Sequence, residues 1–285
     1  MKRIVSKIPK INLVEVGPRD GLQNERKTLS INQRAEFLEK LQACGFTSIE
    51  AGSFVSPKSV PQMANTSEVL QRVQKMPGVT FSALVPNMKG WEAVPKHKVD
   101  EIVFFMSATE GFNRKNLGSD IAGTKRHYEN LAPRVFDSGM NARGSISCCW
   151  VCPFDGPVKT DAVLRAIEFY RRIGVSDIDI ADTIGVAEPE AVSDLMWEIR
   201  RNVGLDGIAG HFHDSKGHAV DNILAAAVIG VKTFHSSIAG IGGCPFSPNR
   251  VGNVATEKVL DMFGWDGIDT EKFCETQTWL KSQLA

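Results

Sequence analysis

Apolar residues along this chain follow two habits. In short runs they stand side by side or at every second position. Between the runs they recur at every third or fourth. The runs are "INLVEV" (11–16), "SIEAG" (48–52), "VTFSALV" (79–85), "EIVFFMS" (101–107), "GSISCCW" (144–150), "DIDIAD" (177–182), "IAGHFH" (208–213) and "KTFHSSI" (232–238). Such runs read as strands, and their separation suits repeated strand–helix units. The stretches between them read as helices. Ser30 with Gln33 has the form of a capping box, and Ile31, Ala35, Leu38 and Leu41 then share one face until Gly45. Val163, Ile167 and Tyr170 repeat the theme before Gly174. Pro189 suits a first helical turn ahead of the stripe Val192, Leu195, Met196 and Ile199. The pattern predicts an α/β fold, a (β/α)8 TIM barrel over residues 1–285 as a single catalytic domain. One or two additional C-terminal helices are expected after Gly264.

Composition fits that picture. A length of 285 residues is usual for such a barrel, and 42% hydrophobic residues fill a large core. Lys plus Arg and Asp plus Glu each number 33, so the formal charge is zero, which argues against a basic nucleic-acid surface. No apolar run approaches the ~20 residues of a membrane span. The opening "MKRIVSKIPKINLVEV" lacks the apolar core of a signal peptide. The six cysteines are spread along the chain, and reduced thiols in the cytoplasm are the expectation.

A barrel places chemistry at the carboxyl ends of its strands. There the sequence puts Arg19 and Asp20, then Glu50, Asn87, Ser107, Asp182, Thr183, His211 and His213. Polar groups at nearly every strand end are costly in a packed core unless they line a cavity. His211 and His213 stand two apart, and that spacing on a strand aims both imidazoles at one side. An isolated His-x-His is more often a pair of ordinary hydrogen-bonded histidines. Acids and an amide expected at the same rim favour a divalent metal, with Asp20 as anionic ligand. Oxygen and imidazole donors without thiolates point to Mg or Mn, and zinc or cobalt stays open.

Other stretches have two readings. Arg19 beside Asp20 is either a surface ion pair or a group that stabilises a developing enolate. Cys244 lies on the glycine-rich "GIGGCPF" loop and is a candidate acid or base, although a lone cysteine is usually a small buried hydrophobe. Cys149-x-x-Cys152 lacks a second pair and reads as packing rather than a zinc site. The "FNRKN" run (112–116) is either a solvated turn or a greeting for a phosphate-bearing substrate, with Asn116 taken as substrate-binding.

Together "VEVGPRDGLQNE", "SFVSPK", "LVPNMKG", "ADTIG", "GHFHD" and "GIGGCPF…GNVATE" resemble the hydroxymethylglutaryl-CoA lyase family of the DRE-TIM metallolyase superfamily, from about residue 11 to about residue 265. The resemblance implies metal ligands at Asp20, His211, His213 and Asn253. It implies catalytic roles for Arg19, Glu50 and Cys244, and places Gln23, Asp182 and Glu257 in the substrate site. It implies cleavage of a 3-hydroxyacyl-CoA thioester to acetyl-CoA and a keto acid with a divalent cation, a place in leucine catabolism, and a homodimer. No nucleic-acid or membrane partner is implied. The general base stays open between His211 and Asp20.

The chain departs from the family pattern in several places. His235 stands where an acid is more frequent, Ser215 and Lys216 follow the His-x-His-Asp motif where a threonine is common, and Lys258 replaces an acid. Gly52 and Ser59 stand for a usual threonine and tryptophan, and Arg250 adds a cation to the loop. These changes keep the reaction type and open the acyl chain, with citramalyl-CoA, a methylmalyl-CoA or a longer branched thioester as alternatives. Two rival readings are a barrel that binds CoA esters without turnover and an enzyme working in the condensing direction.

Overall fold

The computed structural model describes residues 8–243 and 252–285. Its strands are β1 (Asn12–Glu15), β2 (Ser48–Ser53), β3 (Thr80–Leu84), β4 (Glu101–Ser107), β5 (Asn141–Ser147), β6 (Val151–Cys152), β7 (Gly156–Pro157), β8 (Asp177–Asp182), β9 (Ile208–Phe212) and β10 (Thr233–Ser236). Eight of them close into a barrel in the order β1-β10-β9-β8-β5-β4-β3-β2, and every pairing around the ring is parallel. The strands β6 and β7 form a small antiparallel hairpin outside it.

The helices are α1 (Ile31–Ala43), α2 (Thr66–Arg72), α3 (Met88–Glu92), α4 (Glu110–Leu117), α5 (Ile121–Asp137), α6 (Thr160–Arg172), α7 (Pro189–Asn202), α8 (Ala219–Ile229), α9 (Thr256–Phe263) and α10 (Thr270–Leu284). The expected capping box is present: Ser30 Oγ accepts from the Gln33 N–H, and Gln33 Oε1 accepts from the Ser30 N–H. Ala35, Leu38 and Leu41 are buried, as are Val163, Ile167 and Tyr170, and Val192, Leu195, Met196 and Ile199. These stripes face the strands and supply the shell of core around the ring. The tail beyond Gly264 contributes one helix, α10, whose Trp279 packs on Phe37.

Two expectations need correction. The fifth strand runs over 141–147 rather than 144–150. Its true start carries Asn141 and Arg143, whose polarity hides it from a search for apolar runs. The apolar Cys148, Cys149 and Trp150 that extended the expected strand lie beyond its end, where Cys148 takes a left-handed φ of 58°. The "FNRKN" run is not a turn; it lies on α4.

Candidate active site

The chain leaves β1 at Gly17-Pro18, and proline cannot continue a sheet ladder. The Val16 carbonyl accepts the N–H groups of Arg19 and Gly21, both at 3.1 Å, and the loop wraps into a π-helical turn over Gly17–Gly21. That turn aims Arg19 and Asp20, both buried, at the mouth of the barrel. Across the ring His211 lies on β9 and His213 one residue past its end. Asn253 arrives on a returning segment held by the backbone. It forms a β-bridge with His213, while Asp214 N–H donates to the Gly252 carbonyl and Val254 N–H to that of Phe212.

Three of these side chains converge. One ligand-capable atom from each of Asp20, His211 and His213 lies within 4.8 Å of the other two. Asp20 Oδ2 is 3.7 Å from His211 Nε2 and 3.5 Å from His213 Nε2. Its other oxygen accepts from Arg19 Nη1 at 2.6 Å and from Gln23 Nε2 at 2.7 Å. Burial alone would raise the Asp20 carboxyl, but Arg19 and the two imidazoles outweigh it and hold the carboxyl well below its ordinary value. Burial pushes His211 down to about 4, so its ring is neutral at pH 7, with a proton on one nitrogen and a lone pair on the other.

Behind this triad the barrel interior is filled with paired charge. Arg19 Nε donates to Glu50 Oε1 at 2.5 Å, and Glu50 Oε2 accepts from Arg143 Nη2 at 3.2 Å. Arg143 also donates to Glu101 at 3.0 Å and to Asp179. Glu50 sits below its ordinary pKa because the two guanidiniums overcome its burial. Burial pushes Asp179 up to about 7 against the pull of Arg143. This connected network holds four carboxylates (Asp20, Glu50, Glu101, Asp179) and two guanidiniums (Arg19, Arg143).

The residues fit a divalent cation on two grounds. The donor set is a carboxylate and imidazole nitrogens spaced on the order of twice a metal–ligand distance of ~2.0–2.3 Å. An ionised Asp20 beside a neutral His211 is the pairing of protonation states that such an ion requires. Asn253 is placed differently from a ligand: its Nδ2 donates to Asp20 Oδ2 at 2.8 Å, so an oxygen donor there needs the amide turned over.

A cavity of about 530 Å³ opens over the triad. Its polar floor includes Arg19, Asp20, His211, His213, Ser145 and Ser147, and its side wall includes Val55, Val60, Leu84 and Phe105. Gln23, Asn87, Asn116 and Thr183 also line it. Asp182 and Glu257 do not. One Asp182 oxygen accepts from the Ala187 N–H at 2.8 Å, bracing the turn after β8. Glu257 accepts from the Ala239 N–H and from Gln277, tying α9 to the loop after β10 and to α10. Cys244 and Arg250 lie outside the described residues. The sequence reading passed over Arg143, Asp179 and Glu101. Their one signal was charged residues inside barrel strands, at odds with an apolar interior.

Comparison with known proteins gives the family and the fold. Residues 10–279 match the HMGL-like family. The chain belongs to that family. It is 39% identical over 278 residues to the hydroxymethylglutaryl-CoA lyase of Pseudomonas mevalonii, covering 96% of this chain and 92% of the relative. It is 40% identical over 261 residues to the 3-hydroxy-3-isohexenylglutaryl-CoA/hydroxy-methylglutaryl-CoA lyase of Pseudomonas aeruginosa, covering 92% and 87%. The crystal structure of the HMG-CoA lyase from Brucella melitensis superposes with a TM-score of 0.92 at 36% identity, over 96% of this chain and 98% of that one. Among the described residues no helix is long and apolar enough to cross a membrane.

Proposed function

We propose that this HMGL-like protein is a carbon–carbon lyase that cleaves 3-hydroxy-3-methylglutaryl-CoA to acetyl-CoA and acetoacetate with a divalent cation, Mg or Mn. The observation that carries the reading is the convergence of Asp20, His211 and His213 at the floor of a polar-bottomed cavity, with Arg19 bonded to Asp20. The HMG-CoA lyase names of the aligned relatives supply the substrate.

Asp20, His211 and His213 would hold the cation, with Asn253 joining them once its amide turns. A cation held there would supply the Lewis acidity that makes a substrate hydroxyl easier to deprotonate. The base that takes the hydroxyl proton is drawn from His211 and Asp20. As the carbon–carbon bond breaks, its electrons pass to the thioester unit, and Arg19 balances the charge that develops there. Glu50 fixes the Arg19 guanidinium, and Gln23 orients Asp20. Cys244 remains the proposed proton donor to the new acetyl carbon. Lys115 and Asn116, exposed at the mouth, suit the phosphates of coenzyme A. Asp182 and Glu257 act at one remove from the substrate, Asp182 by bracing the turn that carries Thr183 and Glu257 by holding the loop after β10. The proposal extends to a cytoplasmic location, supported by five unpaired cysteines among the described residues, to leucine catabolism, and to a homodimer.

A second reading keeps the chemistry and enlarges the acyl chain. Ser59, which lines the cavity where the family more often has tryptophan, and the apolar wall of Val55, Val60, Leu84 and Phe105 favour it. Acetyl-CoA release from 3-hydroxy-3-methylglutaryl-CoA, citramalyl-CoA and a 3-alkenyl homologue separates the two. Faster cleavage of a rival thioester overturns the first assignment. Turnover is expected to stop with a chelator and to fall at least ~10³-fold in His211→Ala; unchanged turnover in that variant contradicts the mechanism.

A further inference from the structure

His235 belongs to neither the cavity wall nor the ligand set, yet it touches one ligand directly. The parallel register of β9 and β10 sets His211 beside His235. Their rings meet edge-on with centroids 5.3 Å apart and Nδ1 to Nδ1 at 3.2 Å. At its other nitrogen, His235 Nε2 lies 3.0 Å from Arg143 Nη1 and 3.3 Å from Asp179 Oδ1. That Asp179 oxygen is buried and has no hydrogen-bond partner.

The donors fix the logic. A guanidinium only donates, so in its bond to Arg143 the His235 Nε2 accepts. The His235 proton then sits on Nδ1 and is given to His211 Nδ1. A neutral His211 is left with its own proton on Nε2, facing Asp20. That tautomer offers no lone pair to a cation. To ligate through Nε2, His211 must carry its proton on Nδ1 and give it to His235. The His235 proton must then sit on Nε2, which gives up the bond from Arg143 Nη1 and points the proton at the unpartnered Asp179 oxygen. Both rings stay neutral, each losing a proton at one nitrogen and taking one at the other.

We infer that His235, backed by Asp179, is a positioning residue that sets whether the His211 nitrogen facing the cation carries a proton or a lone pair. The inference rests on the proposed cation site. It gives a chemical reason for an imidazole at a position where the family more often has an acid. An acid accepts from His211 in one way only, whereas the imidazole passes the choice on to Asp179. Outer partners of this kind commonly control metal affinity by about 10- to 100-fold.

The test uses the full-length protein, calorimetric titration with Mn²⁺, and imidazole nitrogen NMR with and without Mg²⁺. His235→Leu fills the space without an acceptor, and His235→Asn keeps one near the position of Nδ1. Mn²⁺ affinity is expected to fall about 10- to 100-fold in His235→Leu and to stay near wild type in His235→Asn. In the wild type, Mg²⁺ is expected to move the proton of His211 to Nδ1 and that of His235 to Nε2. Wild-type affinity in His235→Leu, or no change of tautomer on adding Mg²⁺, overturns the inference while the functional reading stands. A wild-type protein that binds neither cation defeats the functional reading itself. The wild-type NMR result decides the matter even if the leucine variant does not fold.

Discussion

Arg143 enters the barrel from the middle of β5 and meets Glu50, Glu101, Asp179 and His235. A buried ion cluster is weak support for stability as a whole, but removing one partner strands charges that water cannot reach. Arg143→Met is therefore expected to cost about 3–5 kcal/mol in urea unfolding, and a cost under about 1 kcal/mol would contradict the network. Glu15 has the opposite character. It is buried, and its Oε1 accepts from the backbone N–H groups of Gly17 and Ile238 while Oε2 accepts from Thr256. Burial raises its carboxyl to about 7. The folded state thus keeps a proton that the unfolded chain loses near its ordinary 4.5, so folding is increasingly penalised as pH rises from there through about 7. The penalty reaches at most about 3 kcal/mol. Glu15→Gln keeps the acceptor for both backbone groups and removes the titration. Its stability relative to wild type should rise between pH 5 and pH 8, and parallel stability curves would refute this. At this scale the sequence was readable where spacing carried the message. The His-x-His pair and Arg19-Asp20 announced themselves, whereas a lone arginine in "NARGS" looks like an outward polar residue.

The elements show why some boundaries could be read and others could not. Helices with an apolar stripe and a marked first turn, such as α1 with its capping box and α7 with its leading Pro189, run where periodicity puts them, because burial of that stripe decides their fate. Strand β5 slipped by three residues because its inward face is polar by function. The short helix α3 and the hairpin of β6 and β7 have no repeating pattern long enough to notice. Among the described residues of the loop after β10, Gly242 lies against the ligands most directly. Gly242 has φ 110°, and a Cβ there would lie 2.8 Å from Asn253 Nδ2 and 3.1 Å from the Asp20 carbonyl oxygen. Only glycine combines that conformation with that approach. Gly242→Ala is expected to displace Asn253 from Asp20 and weaken Mn²⁺ binding in calorimetry by about tenfold, the lower end of what lost outer contacts cost a metal site. Retention of full affinity would show that the close packing of this loop does not support the ligands.

At the scale of the whole molecule, the barrel solves a problem of delivery. Asp20 follows β1, His211 and His213 come from β9 and its end, and Asn253 returns from beyond β10. These residues span more than two hundred positions of the chain, as the 233-residue separation of Asp20 and Asn253 records, yet closure of the ring brings them into contact. The same closure holds an ionised Asp20 against two buried imidazoles. A single divalent ion at the triad answers both features, and on that ion the chemistry depends. An anomalous difference map from a crystal of the full chain soaked in Mn²⁺ tests this directly. The account predicts the strongest peak between Asp20, His211 and His213. A map with no peak there, or with manganese bound only elsewhere, would contradict it.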